Sequence, residues 1–222
     1  MSSFDGVFDA TGVDWSTVDG RVWRNGNETF PVIRNGSGSF SADSLTTGVL
    51  ILWAYPSTNN YQQLNRGIAL FDTSTIGNEP TIDSATLSIY AYYKDNTMGS
   101  TNFHIASSTP TSNTALVARD FAQIGRISFG SLAYASVSTS AYSAISLNSS
   151  GLGAISKTGV SKFSFQLGWD IDNSTTGLTW VNGAETGYWI YYADTADTSQ
   201  DPKLVVTYTL PANPKQDVIW FD

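Results

Sequence analysis

Along residues 84–93 the side chains alternate without a break. Ala85, Leu87, Ile89, Ala91 and Tyr93 fall on one side, and Ser84, Thr86, Ser88, Tyr90 and Tyr92 on the other. A period of two held this long fits an extended strand with one face on a core, and nothing helical. The pattern recurs at 162–169, where Phe163, Phe165, Leu167 and Trp169 alternate with Lys162, Ser164 and Gln166, and at 203–209, where Leu204, Val206 and Tyr208 share a face. Shorter strands are expected at 21–24, 29–34, 49–55, 67–72, 103–106, 115–121, 141–147 and 188–192. The one helical hint is a short turn within 149–157, limited by Gly151 and Gly153.

Turn chemistry separates these runs. Asn25-Gly26, Asn35-Gly36 and Asn182-Gly183 are dipeptides that accept positive φ, and the first centres an expected hairpin over 22–30. Many short strands joined by such turns predict an all-β fold, an antiparallel β-sandwich of jelly-roll type. One domain is expected over 1–210, with 1–40 an N-terminal extension or added hairpin. Residues 211–222 form a tail made extended by Pro211 and Pro214.

Composition narrows the chemistry. The 222 residues suffice for a core without staples. With no Cys there is no disulfide, thiolate zinc site or cysteine nucleophile, and a single His removes His-based metal clusters. A net charge of −8 argues against nucleic acid, whose phosphates would repel the chain. There is no Walker loop, Gly-x-Gly-x-x-Gly or Gly-x-Ser-x-Gly elbow, and most acidic residues sit in turn-like contexts such as Asp5-Gly6, Asp19-Gly20 and Asp201-Pro202. His104, between Phe103 and Ile105, reads as a structural strand residue. The expectation is a non-enzymatic protein that requires no cofactor. Residues 1–14 carry no basic and apolar leader pattern, so the chain is expected either to fold in the cytoplasm where it is made or to have had a leader trimmed, and the longest apolar run, 49–55, has strand length, so no membrane-spanning helix is expected.

Three groups of residues are candidates for binding. In Tyr188-Trp189-Ile190-Tyr191-Tyr192, the rings of Trp189 and Tyr191 share a face. A strand buried on both sides explains this. So does a platform on which sugar C–H faces stack, extended by Trp180, Tyr90 and Tyr92. Asp170, Asp172 and Asn173 offer hard oxygens at close spacing, suited to an ordinary loop or to a structural calcium ion. The tail ends on Val218, Ile219, Trp220 and Phe221, which would either fold back onto the parent domain or anchor another subunit.

The ordered series Arg66-Gly67-Ile68-Ala69-Leu70-Phe71-Asp72-Thr73-Ser74, Ile82-Asp83-Ser84-Ala85-Thr86-Leu87, Ala141–Asn148 and Pro202-Lys203-Leu204-Val205-Val206-Thr207-Tyr208 resembles the disaggregatase-related (DNRLRE-type) jelly-roll family. The resemblance runs from about Arg66 to Tyr208. It implies a non-catalytic module of carbohydrate-binding type, as in surface proteins and polysaccharide-degrading enzymes, and also in phage structural proteins. Two functions are therefore expected. One is a virion surface protein made in the host cytoplasm: a phage capsid decoration or fibre subunit that docks through its termini, forms a homo-oligomer or contacts other capsid proteins, and also grips polysaccharide. The alternative is an extracellular carbohydrate-binding module.

Overall fold

The structure, a computed structural model, describes residues 6–9, 18–194 and 199–211. In chain order the elements are β1 (Gly6–Asp9), β2 (Asp19–Thr29), α1 (Phe30–Asn35), β3 (Phe40–Ala42), β4 (Thr47–Ala54), β5 (Asn60–Asp72), β6 (Thr81–Ile89), β7 (Ala91–Asn96), β8 (Phe103–Ser107), β9 (Gly130–Leu132), β10 (Ser143–Ser146), α2 (Ser149–Gly153), β11 (Val160–Leu167), α3 (Gly168–Asp172), β12 (Glu185–Tyr191) and β13 (Lys203–Thr209). Short 3-10 turns lie at Ser74–Ile76, Ala118–Ala122 and Tyr134–Ser136.

The strands form two antiparallel sheets. One has the order β1-β13-β6-β10; the other runs β7-β12-β4-β5-β11-β8-β9, with β2 on β5 and β3 on β2. The all-β, antiparallel, sandwich-like architecture expected from the alternation is what the chain adopts. The large sheet is organised by the 13-residue β5. β2 follows one of its edges from Asn60 to Ala69, while the other edge is shared, β4 pairing with Tyr61–Leu64 and β11 with Gly67–Asp72. Where β4 leaves β5, the sheet curls onto itself. Tyr188 of β12 then meets Phe103 of β8 edge-on at 5.4 Å, although the two strands are far apart in strand order. The core is continuous across both sheets, from Leu87, Ile89, Leu204 and Val206 to Leu50, Phe103, Phe163, Phe165 and Tyr188.

Several local expectations are corrected, each for a physical reason. The run at 84–93 is two strands: β6 ends in the small sheet, β7 begins in the large one, and Tyr90 is the crossing point. No hairpin forms at Asn25-Gly26. β2 runs past it with a register shift between Asn25 and Glu28, and the Arg24–Glu28 ion pair spans the irregularity. Pairing with the long β5 satisfies more backbone groups than a local hairpin would. The expected strand at 29–34 is instead α1, with Pro31 in its first turn and Phe30 and Ile33 buried three residues apart. The expected strand at 115–121 is a loop and a 3-10 turn. Buried Asp120 accepts hydrogen bonds from Thr111 N, Thr111 Oγ1 and Val117 N, which bends the backbone around its carboxylate. The helical turn within 149–157 is present as α2, capped by Asn148, which accepts from Gly151 N.

Candidate functional site

The outer face of β7 and β12 carries the aromatic candidates. Along β12, Thr186, Tyr188 and Ile190 are buried and Glu185, Trp189 and Tyr191 are half-buried on the other side, while Gly187 is itself buried, at φ +152, with no room for a Cβ beside the Leu50 carbonyl. β7 pairs Tyr93 with Trp189 and Ala91 with Ile190, so Tyr92 is an extra residue opposite the Trp189–Ile190 step. A bulge of this kind breaks the alternation and re-aims a side chain. Tyr92 and Tyr93 both end up exposed, at 39% and 49%, while Ala91 is buried. Tyr92 then lies 5.2 Å from Tyr191 and Tyr93 lies 4.8 Å from Trp189, ring centre to ring centre. Tyr90 continues the row, 5.8 Å from Tyr191 and 5.5 Å from Tyr142. The result is a band of tilted and edge-to-face rings in which Tyr92 and Tyr93 are exposed and Tyr90, Tyr142, Trp189 and Tyr191 half-buried.

Of the five residues expected to form a platform, four are brought together: Trp189, Tyr191, Tyr90 and Tyr92. Trp180 is not in the band. Its indole donates to the Asn60 carbonyl at the start of β5, and its ring packs on the core. Tyr93 and Tyr142 join the band although sequence reasoning passed over them. Period two put Tyr93 on the buried face, and only the bulge moves it out. Two carboxylates edge the same corner. Asp95 accepts a bond from the Tyr93 hydroxyl at 3.3 Å and another from Thr97 N at 2.7 Å. Glu185 lies near enough that burial first, and the Asp95 charge second, hold its carboxyl above the usual range. The Asp95 charge and hydrogen bond likewise push the Tyr93 phenol up.

Of the expected calcium ligands Asp170, Asp172 and Asn173, the structure gives Asp170 a different set of partners. The Asp170 side chain is fully buried, and both of its oxygens are held by guanidinium groups. Arg66 binds it through two bonds, Nε to Oδ2 at 2.6 Å and Nη2 to Oδ1 at 2.8 Å. Arg126 Nη1 donates to Oδ1 at 2.7 Å, and Arg34 Nε stands 3.4 Å from the same oxygen. A dication would face three cations there. Burial alone would raise the Asp170 pKa, but Arg66, Arg126 and Arg34 together hold it below the ordinary carboxylate value. Asp172 and Asn173 lie exposed at the end of α3, where Asn173 takes the left-handed conformation that stops the helix. Among the described residues no group of three or more His, Asp or Glu side chains is arranged to hold a metal. The docking residues Val218, Ile219, Trp220 and Phe221 lie outside the described residues.

His104 pairs with Ser128, Nδ1 to Oγ at 2.9 Å. The Ser128 hydroxyl itself donates to the Gly130 carbonyl, so the imidazole N–H donates to Oγ and is not placed to take its proton. Burial lowers the His104 pKa, which favours the neutral ring. The pair ties β8 to the loop before β9.

No protein-family model matches the chain, and no curated protein is significantly similar to it.

Proposed function

We propose that this protein is a non-enzymatic recognition module that binds glycans on the aromatic band of β7 and β12. The observation that supports this reading above others is the β7 bulge, which turns Tyr92 and Tyr93 outward together to meet Tyr191 and Trp189. An aromatic ring exposed in a strand costs hydration free energy, and a contiguous group of them marks a contact surface. Sugar rings offer apolar C–H faces for the rings and hydroxyls for the neighbouring Asp95 and Glu185. A shallow face of this kind supports single-site affinities in the micromolar range or weaker, raised when several copies engage one polymer. The same face would serve a phage decoration or fibre subunit and a module of an extracellular enzyme, because the ligand chemistry is common to both. Light scattering on the full chain separates these settings: a symmetric oligomer is expected for the subunit, a monomer for the module.

The test is a glycan array followed by calorimetric titration of the strongest hit. Replacing Trp189 with Ala should weaken binding about tenfold, the equivalent of ~1.4 kcal/mol, with Tyr93→Ala acting in the same direction. Binding that both variants leave untouched would refute the band as the site.

A further inference from the structure

Independently of the aromatic-band reading, we infer that Asn182 is a site of spontaneous deamidation, converted to aspartate and isoaspartate through attack by the Gly183 backbone nitrogen. Asn-Gly dipeptides occur at 25–26, 35–36 and 182–183. The reaction takes place within the chain. Once base removes its proton, the glycine nitrogen attacks Cγ of the asparagine. The N–Cγ bond forms, the Cγ–Nδ2 bond breaks, and Nδ2 gains a proton and leaves as ammonia. Water then opens the cyclic imide at either carbonyl, giving aspartate or isoaspartate with no change of oxidation state. Glycine favours the attack because it has no Cβ to hinder the nitrogen. The nitrogen and the side-chain amide must come together, so each hydrogen bond that holds either of them slows the step.

The fold holds two of these dipeptides and leaves the third open. Asn35 ends α1, where its Nδ2 donates to the Pro31 carbonyl at 2.8 Å and its Oδ1 accepts from Arg34 Nη1 at 3.0 Å. The Gly36 N–H, the nucleophile there, donates to the Val32 carbonyl at 3.1 Å. Arg34 is itself buried and tied to the Asp170 carbonyl, so this clamp is anchored. Asn25 lies within β2 in register with Gln63, whose Nε2 donates to Asn25 Oδ1 at 2.8 Å, and the Asn25 N–H donates to Ser39 Oγ at 3.0 Å. Asn182 and Gly183 are the central residues of the turn that precedes β12, closed by Ala184 N–H donating to the Val181 carbonyl at 3.1 Å. Both are exposed, and among the described residues neither the Asn182 side chain nor the Gly183 N–H makes a hydrogen bond. Gly183 takes φ +71, as a type II turn requires, with open space where a Cβ would stand. Conversion to aspartate adds a charge to this turn, and conversion to isoaspartate adds a methylene to its backbone. The Gly183 carbonyl accepts from Trp53 Nε1 at 3.2 Å and the Ala184 carbonyl from Ala54 N at 2.8 Å, so two contacts with the end of β4 lie next to the altered bond.

The test incubates the full chain in mildly alkaline buffer, folded and in parallel in urea, and follows chymotryptic peptides by mass spectrometry. Cleavage after Trp180 and Tyr188 isolates residues 181–188, in which Asn182 is the only side-chain amide. In the folded protein Asn182 is expected to convert at least about fivefold faster than Asn25 and at least about tenfold faster than Asn35. In urea the three rates should converge to within about threefold, because the bonds that separate them are gone. Electron-transfer fragmentation should find isoaspartate as well as aspartate at position 182. Asn182→Ser should remove the fast phase while leaving the circular dichroism spectrum and the other two rates unchanged. Asn25 or Asn35 converting as fast as Asn182 in the folded chain would overturn the assignment. So would an Asn182 that reacts in urea and stays intact in the folded protein, because the turn would then protect it. Rates that remain apart in urea would trace the ranking to flanking sequence and overturn the structural account. A fast phase that survives Asn182→Ser would place the reaction elsewhere.

Discussion

Two groups of carboxylates in this molecule are treated in opposite ways. Asp170 is sealed between α1, β5 and the Ala118–Ala122 turn, with three guanidinium groups on one carboxylate and the Arg66 guanidinium 3.9 Å over the Phe121 ring. Arg66 also donates to the carbonyls of Phe121 and Arg34, at 2.6 and 2.8 Å, so the cluster binds backbone from separate segments to one point. Asp95 and Glu185 are half-buried beside the exposed rings of Tyr92 and Tyr93, and among the described residues neither is in an ion pair. The first group spends its charge on holding loops to the large sheet. In the second, Asp95 accepts only from its own strand end, from the Tyr93 hydroxyl and Thr97 N, and ties no distant segments together.

The comparison is broken most directly at the buried cluster. Asp170→Asn leaves Arg66, Arg34 and Arg126 without their anion and is expected to cost ~3–5 kcal/mol in urea unfolding. A loss below 1 kcal/mol would mean that the cluster is not structural. Because its arginines hold the Asp170 pKa low, that stabilisation is present above the ordinary carboxylate pKa near 4 and lost as pH falls through the lowered folded value. Asp19 sharpens the contrast. It is buried too, but it accepts a bond from Ala193 N and has Asp194 and Asp201 near it, and burial chiefly raises its pKa to about 7. Its contribution is therefore fully present below pH ~4 and lost as pH rises toward 7. Asp19→Asn keeps an acceptor for Ala193 and should stabilise the protein at pH 8 by on the order of 3 kcal/mol, with little change at pH 4. Equal effects at both pH values would refute this.

Smaller effects are expected further out. Arg126 has a side chain that is 33% exposed, so Arg126→Gln should cost only about 1–2 kcal/mol while Arg66 still satisfies Asp170. At the aromatic corner, Tyr93→Phe should leave the melting temperature unchanged, because the lost hydroxyl bonds an exposed Asp95 at 3.3 Å. A clear drop in melting temperature would show that this corner carries structural load.

Much of the sheet framework was legible because period two is a direct image of a one-sided strand. Ala85, Leu87 and Ile89 are buried as their alternation requires, and so are Tyr188, Ile190 and Tyr192. The reading failed where a long-range partner outweighed a local signal. Asn25-Gly26 has hairpin chemistry, but β5 offered a longer ladder. Residues 115–121 have strand composition, but the buried Asp120 carboxylate closes a loop around itself. At 84–93 the alternation was read correctly up to Ile89, but nothing in it announces a change of sheet at Tyr90.

The candidate site divides along the same line. Residue type and spacing place Trp189 and Tyr191 on one face of a strand, because a strand's geometry depends only on its own backbone. The membership of Tyr93, the exclusion of Trp180 and the use of Asp170 as an anchor for arginines each depend on what a different part of the chain brings alongside. A bulge is defined by the strand opposite, and a buried charge by the partners that reach it. These are properties of pairs distant in sequence, and only the folded molecule sets them.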